Sequence, residues 1–286
     1  MGHCYITQEV VVNPWFETVG VVVVAAAGVF IGSTFSRLGR RYWTAGYFFS
    51  LLLIFTLLIG RWNGTLAFVP PFSWIITGRI KFAVLALAAT MGLTTPLSRL
   101  TYKFEKLTVC LLMAVVVTWF SILPFLVPAL IKDRLANLET RIDASGVCYQ
   151  TTDYTCAPAA AVTALGKLGI TATEGEIAIL ARTSPVAGTL PLCLNSALRS
   201  RYGAEGLKCQ YRRFDSVEQL KGAGITLAVV RDRFLSDHCV AVLEVSDRMV
   251  TIADPVMGKE LLSYDSFAKI WRFSGIVLSR DSTRSI

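Results

Sequence analysis

Acidic residues are scarce in the first half of this 286-residue chain. Residues 1–136 hold four of the 20 Asp and Glu side chains but eleven of the 28 Lys and Arg side chains, whereas residues 137–286 hold sixteen and seventeen. The basic excess therefore belongs to the half in which apolar residues are concentrated, and Lys and Arg beside apolar segments are typical of membrane proteins. The second half has no basic stripe, so we expect no binding to nucleic acid.

Histidine and closely paired cysteines are also rare. The chain has two histidines, and only His238 lies in the second half. No Cys-x2-Cys pair occurs, so a structural zinc site is not expected. The sequence contains no Gly-x4-Gly-Lys-Ser/Thr phosphate-binding loop, which argues against an ATPase. We therefore expect neither a metal nor a cofactor.

Long apolar runs occupy most of residues 1–131. A helix of about 20 apolar residues crosses the hydrocarbon of a bilayer, and four segments approach or reach that length: 15–34, 44–60, 82–97 and 108–131. The sequence predicts a membrane region with four transmembrane helices, of which 82–97 is the shortest. The pair Gly28-xxx-Gly32 lies in the first of them and could serve helix packing.

Basic residues beside the spans bear on orientation. No Lys or Arg precedes the first span, so we expect a retained anchor and not a cleavable signal peptide. The total count of Lys and Arg is equal on the two sides, and the prediction rests on the first span, which is followed by Arg37, Arg40 and Arg41. This predicts an integral protein of a bacterial cell membrane, with both termini and the C-terminal domain outside the cytoplasm.

The remainder of the chain predicts one α+β domain. Residues 132–146 have an amphipathic pattern, which predicts a helical linker. The domain then covers 147–286, with helices first and a largely antiparallel sheet afterwards. The predicted helices are 158–168, 173–181, 189–202 and 264–271, and the predicted strands are 208–212, 226–230, 239–245, 249–253 and 275–278.

Cys156 is the first candidate site residue. Pro158 favours the first turn of a helix, so the Cys156 thiol is expected at a helix N-terminus, where free N–H groups and the helix dipole favour the thiolate. The alanines that follow predict a slim helix that packs centrally. The alternative interpretation is a buried core cysteine, which is the usual place for a free thiol.

A base and its partner follow on two neighbouring strands. His238 begins the strand 239–245, and Asp254 ends the strand 249–253. A tight turn between antiparallel strands brings both residues to the same end of the sheet, which is the geometry that a base and its orienting group need. Gln150 could donate its amide to an oxyanion beside the Cys156 N–H. The alternatives are a structural histidine and an ordinary loop glutamine.

Taken together, these segments resemble the peptidase C39 family. The matching segments are Gln-x5-Cys-x-Pro-Ala-Ala from Gln150, His-Cys-Val-Ala-Val-Leu from His238, Ile-Ala-Asp-Pro around Asp254, and the closing run from Phe267 through Trp271 to Val277. They cover nearly the whole domain in the order of the family. The resemblance implies a papain-like fold with Cys156 as nucleophile, His238 as general base, Asp254 as its orienter and Gln150 as oxyanion-hole donor.

The chain departs from the family pattern in two respects. Many members carry an acidic residue directly before the cysteine and a glycine directly after it, where this chain has Thr155 and Ala157. The best-known members place the peptidase domain ahead of an ABC transporter and remove leader peptides, whereas here the membrane region comes first. A transporter partner is therefore not assigned.

The prediction is a multi-span α-helical membrane region followed by an α+β papain-like cysteine peptidase domain, which cleaves a peptide or protein substrate such as a leader peptide through a thioester. One alternative is a catalytically silent C39-like domain that binds peptides for a secretion apparatus. Another is acyl transfer to an amine, with the same thiol and base. Cys148, Cys193, Cys209 and Cys239 form an even set, which permits disulfides in an oxidising compartment.

Overall fold

The structure is a computed structural model that describes residues 14–38, 40–62, 66–69, 72, 78–233 and 236–280. The described residues divide into two compact units, a helical unit within Val11–Leu130 and a mixed unit within Ile131–Ile286.

Apolar helices form the first unit. Their bounds are α1 Pro14–Arg37, α2 Arg40–Trp62, α3 Ile80–Thr94, α4 Lys103–Val117 and α5 Leu123–Leu130, with a π-helical turn, Thr118–Ile122, joining the last two. Three helical stretches, Trp15–Arg37, Trp43–Gly60 and Lys103–Leu130, are long and apolar enough to cross a membrane. They overlap the first, second and fourth predicted spans.

The third predicted span, 82–97, corresponds to α3. This helix has 15 residues, which at 1.5 Å per residue gives about 22 Å, less than the roughly 30 Å of bilayer hydrocarbon. Its length alone does not establish a crossing, which stays a prediction. Ala86 and Ala88 of α3 are fully buried, so α3 is covered by other helices of its own unit.

Glycine makes that covering possible. A Cβ on Gly28 would collide with the Thr90 hydroxyl of α3, and a Cβ on Gly32 would lie 2.7 Å from the Met91 carbonyl oxygen. The Gly28-xxx-Gly32 pair on α1 therefore packs against α3 within the same chain, because only a residue without a side chain allows so close an approach.

Hydrogen bonds tie the two basic connections together at one end of the helical unit. The Ser98 hydroxyl donates to the Ser36 carbonyl at 2.7 Å, and the Arg99 guanidinium donates to the Leu38 carbonyl at 3.2 Å. The Trp43 indole N–H donates to the Thr95 carbonyl at 3.0 Å. The α1–α2 and α3–α4 connections therefore lie at the same end.

Arg79, which precedes α3, joins three helices at the opposite end. Its guanidinium lies 2.8 Å from the Glu17 carboxylate of α1 and donates to the Pro124 carbonyl at 3.1 Å. In an α-helix the Pro124 carbonyl would accept a hydrogen bond from the N–H of residue 128, but residue 128 is proline and has no N–H. Arg79 therefore supplies the missing donor, and the ion pair with Glu17 offsets the cost of burying its charge.

The second unit has the expected helices-then-sheet order. Its helices are α6 Lys132–Ala136, α7 Cys156–Lys167, α8 Glu174–Leu180, α9 Pro191–Tyr202 and α10 Tyr264–Ile270, and its strands are β1 Arg141–Ile142, β2 Cys148–Tyr149, β3 Leu207–Arg213, β4 Ile225–Arg233, β5 Ser236–Val245, β6 Met249–Asp254, β7 Gly258–Ser263 and β8 Trp271–Arg280. Six of these strands form an antiparallel sheet in the order β3-β8-β4-β5-β6-β7. Strand β7 was not predicted, because an edge strand with one exposed face carries little apolar pattern.

The segment predicted as a helical linker, 132–146, is helical only over Lys132–Ala136. Leu135 of this short helix is fully buried, and the β1 strand that follows pairs with β2. The Asp143 carboxylate accepts the N–H groups of Ser145 and Val147 and so stabilises the turn between these strands. The segment belongs to the C-terminal unit, in which Leu135 is buried and Ile142 is exposed.

The sheet carries a different core on each face. One face packs against α7, in which Ala159, Ala160, Ala161 and Ala164 are completely buried, as their small size predicts. On the other face Trp271 is fully buried among aromatic rings, and its indole N–H donates to the Ser274 carbonyl at 3.1 Å. The two cores fix α7 against the strands that carry the candidate site.

We expect Gly28→Ala to destabilise the helical unit by about 1–3 kcal/mol, because the added methyl group overpacks the contact with α3. The matched control is Gly20→Ala on the same helix, where a Cβ meets nothing within 4 Å. The control should be neutral or slightly stabilising. Thermal unfolding of both full-length variants in detergent measures the effect, and equal Tm values for the two would contradict the packing assignment.

Candidate active site

Cys156 is the first residue of α7. Thr155 precedes it and is fully buried, and its hydroxyl accepts the Thr152 N–H at 3.1 Å instead of capping the helix. The first N–H groups of α7 therefore have no side-chain cap, and the positive end of the helix dipole lies beside the sulfur. Cys156 is half-buried, packs against the apolar core around α7 and is not oxidised to a disulfide.

His238 on β5 and Asp254 at the end of β6 face each other. The strands pair antiparallel, with Ala241 opposite Ala253. This register brings His238 Nε2 to 2.9 Å from Asp254 Oδ1, with 16% and 14% of the two side chains exposed. The pairing that the sequence predicts is present, and it leaves Nδ1 as the ring nitrogen available to the Cys156 sulfur.

The charges in this cluster stabilise one another. Burial by itself lowers the pKa of His238, but hydrogen bonds to Asp254 and to Cys156, together with their negative charges, raise it to about 10. For Asp254, burial opposes ionisation, but the hydrogen bond from His238 and the Val256 N–H hold the pKa below its ordinary value. The arrangement therefore favours a protonated imidazole beside the ionised Asp254 carboxylate.

The turn after Asp254 fixes the carboxylate. Its Oδ1 accepts the Val256 N–H at 2.7 Å and the Met257 N–H at 3.4 Å in addition to the His238 contact. The same turn also contacts Gln150. The main-chain N–H of Gln150 donates to the Pro255 carbonyl at 3.0 Å. Gln150 and Asp254 are therefore held by one hydrogen-bonded loop pair.

The Gln150 side chain itself has no anchor through its oxygen. Its Oε1 is buried and has no hydrogen-bond partner among the residues that the structure describes. The position of the amide then depends on the main chain on either side of it. Thr151, the next residue, donates its N–H at 2.9 Å and its hydroxyl at 2.6 Å to the Glu174 carboxylate.

Sequence reasoning missed Thr151, Glu174 and the Pro255 carbonyl. A main-chain carbonyl carries no signal in the sequence, and Glu174 reads as an ordinary acidic residue in the first turn of a helix. Only its complete burial distinguishes it, because a buried carboxylate requires hydrogen-bond donors. No spacing rule links residue 174 to residue 151.

The other domain cysteines form no disulfide among the residues that the structure describes. Cys148, Cys193 and Cys239 are buried, and Cys209 is half-buried. Burial raises the pKa of Cys239 well above its ordinary value, and the charges of Cys156 and Asp254 add to this effect. Cys239 is therefore a neutral thiol beside His238 and a poor competitor for the role of nucleophile.

Comparison with known proteins identifies the family of the second unit. Residues 145–285 match the model of the peptidase C39 family. An uncharacterized protein of Methanothermobacter marburgensis is 31% identical over 135 residues, which are 47% of this chain and 89% of that protein, and one of Methanothermobacter thermautotrophicus is 27% identical over 143 residues, 50% and 94% of the two chains. The chain belongs to the peptidase C39 family.

Solved structures of peptidase domains are also similar. The peptidase domain of Streptococcus ComA, described as a bi-functional ABC transporter, is 18% identical with a TM-score of 0.41 and matches 46% of this chain and 96% of that domain. A double glycine motif protease from an AMS/PCAT transporter, solved in complex with the leader peptide, is 16% identical with a TM-score of 0.39 and matches 50% and 93%.

The raised pKa of His238 leads to a direct titration test. The chain has two histidines, so ¹⁵N-histidine labelling of a His3→Gln variant leaves a single imidazole signal. We expect it to stay protonated at neutral pH and to titrate near 10. In Asp254→Asn the midpoint should fall markedly, because burial, which lowers the pKa, is then opposed by Cys156 alone. A midpoint near 6.5 in the parent chain would contradict the pairing.

The same shift sets a pH dependence of stability. Because the folded pKa of about 10 lies above the ordinary 6.5, the imidazolium contributes stability that is fully present below about pH 6.5 and is lost as the pH rises to about 10. His238→Ala should remove this part of the loss of folding stability as the pH rises.

Proposed function

We propose that this member of the peptidase C39 family is a membrane-anchored cysteine peptidase that hydrolyses a peptide bond through Cys156, His238 and Asp254. The observation that carries the proposal is the 2.9 Å contact of His238 with Asp254, and Cys156 is among the groups that raise the pKa of His238. A nucleophile, a base and a group that orients the base are thus contiguous, as covalent catalysis of acyl transfer requires.

In the proposed reaction the Cys156 sulfur attacks the carbonyl carbon of the scissile peptide bond while His238 holds the thiol proton. The oxygen of the tetrahedral intermediate becomes negative and is stabilised by the Cys156 N–H and the Gln150 amide. Collapse of the intermediate breaks the C–N bond, and His238 gives its proton to the leaving amine. Water, deprotonated by His238, then hydrolyses the thioester and regenerates the thiol.

Asp254 orients and stabilises the imidazole throughout this cycle. With Nε2 occupied by Asp254, the imidazole presents Nδ1 to the sulfur and to the leaving group. A carboxylate in this position stabilises the imidazolium without itself accepting the proton. The substrate class that fits this chemistry is a peptide or a protein segment, and a leader peptide is the substrate that the family resemblance implies.

Replacing the nucleophile or the base tests the assignment. We expect Cys156→Ala and His238→Ala each to abolish cleavage, because the two groups act as one unit, and Asp254→Asn to reduce the rate by about 10²-fold or more while leaving residual activity. Peptides that accumulate uncut in cells carrying Cys156→Ala identify the substrate. The matched control is Cys110→Ala, which removes an exposed thiol of the helical unit.

An electrophilic peptide label separates catalysis from the alternatives. In a Cys110→Ala background, labelling that requires both Cys156 and His238 supports an active site, and absence of any Cys156-selective reaction would indicate a silent peptide-binding domain. Product analysis distinguishes hydrolysis from transfer to an amine, because only the second leaves the acyl group on the acceptor.

The proposed anchor is the helical unit, which would place the protein in the cell membrane with its C-terminal unit outside the cytoplasm. The end of the helical unit where the α1–α2 and α3–α4 connections meet carries six Lys and Arg residues: Arg37, Arg40, Arg41, Arg99, Lys103 and Lys106. The other ends of the spans are flanked in the sequence by an equal number, Arg61, Arg79, Lys81, Lys132, Arg134 and Arg141. Of these, Arg79 is buried and paired with Glu17. An arginine that is neutralised by a neighbouring carboxylate is a weak topology signal, so the positive-inside rule favours the basic end as cytoplasmic.

Chain direction then gives the side of the catalytic unit. Helix α3 begins at Arg79 and ends beside the basic connections, so α5 returns the chain to the end opposite them. We expect a C-terminal tag to be digested in spheroplasts without lysis. As control, a tag inserted in the α3–α4 connection should be digested only after lysis. Protection of the C-terminal tag until lysis would overturn this orientation.

A further inference from the structure

Glu174 is a fully buried carboxylate that no step of the proposed reaction uses. It is the first residue of α8, and its main-chain N–H donates to the Thr140 hydroxyl at 3.0 Å. Both carboxylate oxygens accept from Thr151, one from the N–H at 2.9 Å and the other from the hydroxyl at 2.6 Å. The buried Glu174 carboxylate therefore holds Thr151 through two hydrogen bonds, one to the main chain and one to the side chain.

The loop that Glu174 holds contains the candidate oxyanion donor. Thr151 directly follows Gln150, and the Gln150 N–H is held from the other side by the Pro255 carbonyl. Since the Gln150 Oε1 has no partner among the described residues, these two main-chain anchors determine where the amide lies. One anchor belongs to the Asp254 turn, and the other is Glu174.

We propose that Glu174 is a positioning residue that places the Gln150 amide for stabilisation of the oxyanion. It acts through Thr151 and touches neither the substrate nor the reacting atoms. The inference rests on the proposed function, because it requires that Gln150 serve as the oxyanion donor. The charge of Glu174 also helps to raise the pKa of Cys148, second to burial, to about 12, which agrees with a carboxylate lying close to this segment.

Two thiol reagents separate oxyanion stabilisation from thiol reactivity. Acylation of Cys156 by 4-nitrophenyl acetate passes through a tetrahedral oxyanion, whereas alkylation by iodoacetamide is a displacement at carbon and forms none. The ratio of the two rates, measured on the full chain in detergent with Cys110→Ala as background and Cys156→Ala as blank, therefore reports the oxyanion contribution. Neither reagent requires knowledge of the natural substrate.

Gln150→Ala should lower the acylation-to-alkylation ratio by about 10²-fold, the size typical of one oxyanion donor. Glu174→Ala should lower the ratio by about tenfold with little change in alkylation, and should have less than about a twofold further effect in a Gln150→Ala background, because residues that act through one another are not additive. Glu174→Gln should retain much of the ratio, since its amide can accept the Thr151 N–H and donate to the Thr151 hydroxyl, which then donates to the Glu139 carbonyl 3.0 Å away.

The matched control is Glu176→Ala on the same helix, whose carboxylate binds Arg201 and Tyr202 instead of Thr151. It should leave the ratio unchanged. If Glu174→Ala does not fold, Thr151→Val replaces it in the comparison with Gln150→Ala, because this variant removes the hydroxyl, one of the two donors to Glu174. The positioning role would be overturned if Glu174→Ala or Thr151→Val lowered the ratio as much in the Gln150→Ala background as in the parent chain. It would also be overturned if the acylation and alkylation rates fell equally. An unchanged ratio in Gln150→Ala would instead refute the oxyanion part of the proposed function.

Discussion

The burial of α7 against the sheet is the contact on which the site depends. Its alanines allow the helix axis to approach β5 closely, and Leu165 and Val162 fill the space that remains. Because the helix begins at Cys156, this approach also determines where the sulfur lies relative to His238. A larger side chain at Ala160 would move the Cys156 sulfur away from His238, so packing and the geometry of the candidate site are constrained by the same residues.

The sequence predicted the contact of His238 with Asp254 because this contact follows from local rules. Two adjacent antiparallel strands joined by a tight turn place His238 and Asp254 at one sheet end whatever the rest of the fold does. Helix α7 was predicted for the same reason, from Pro158 and the alanines after it. The support for Gln150 could not be predicted, because it comes from Glu174 and from a main-chain carbonyl, and such long-range contacts have no periodicity or spacing to reveal them.

In the helical unit the sequence predicted apolar length and singled out Gly28-xxx-Gly32 for helix packing, but it did not identify the helix against which this pair packs. Helix α3 is short for a span, yet its buried alanines and the glycines of α1 that face it make it central to the unit. Gly28-xxx-Gly32 is used within the chain, although such a pair is often associated with helix dimers. The Arg79 contacts were equally hidden, since they depend on a carbonyl that Pro128, 49 positions further along, leaves without its helical donor.

The two departures from the family pattern have a consistent physical reading. At position 155 the chain has a buried threonine whose hydroxyl completes the Thr152 turn without introducing charge. An acidic side chain at this position would oppose negative charge on the neighbouring sulfur, whereas threonine leaves Asp254 and the helix dipole to determine the local field. Ala157 is the second residue of α7 and is buried in the core, so its methyl group adds packing that a glycine would lack. The substitutions change how the nucleophile is supported while leaving Cys156, His238, Asp254 and Gln150 in place.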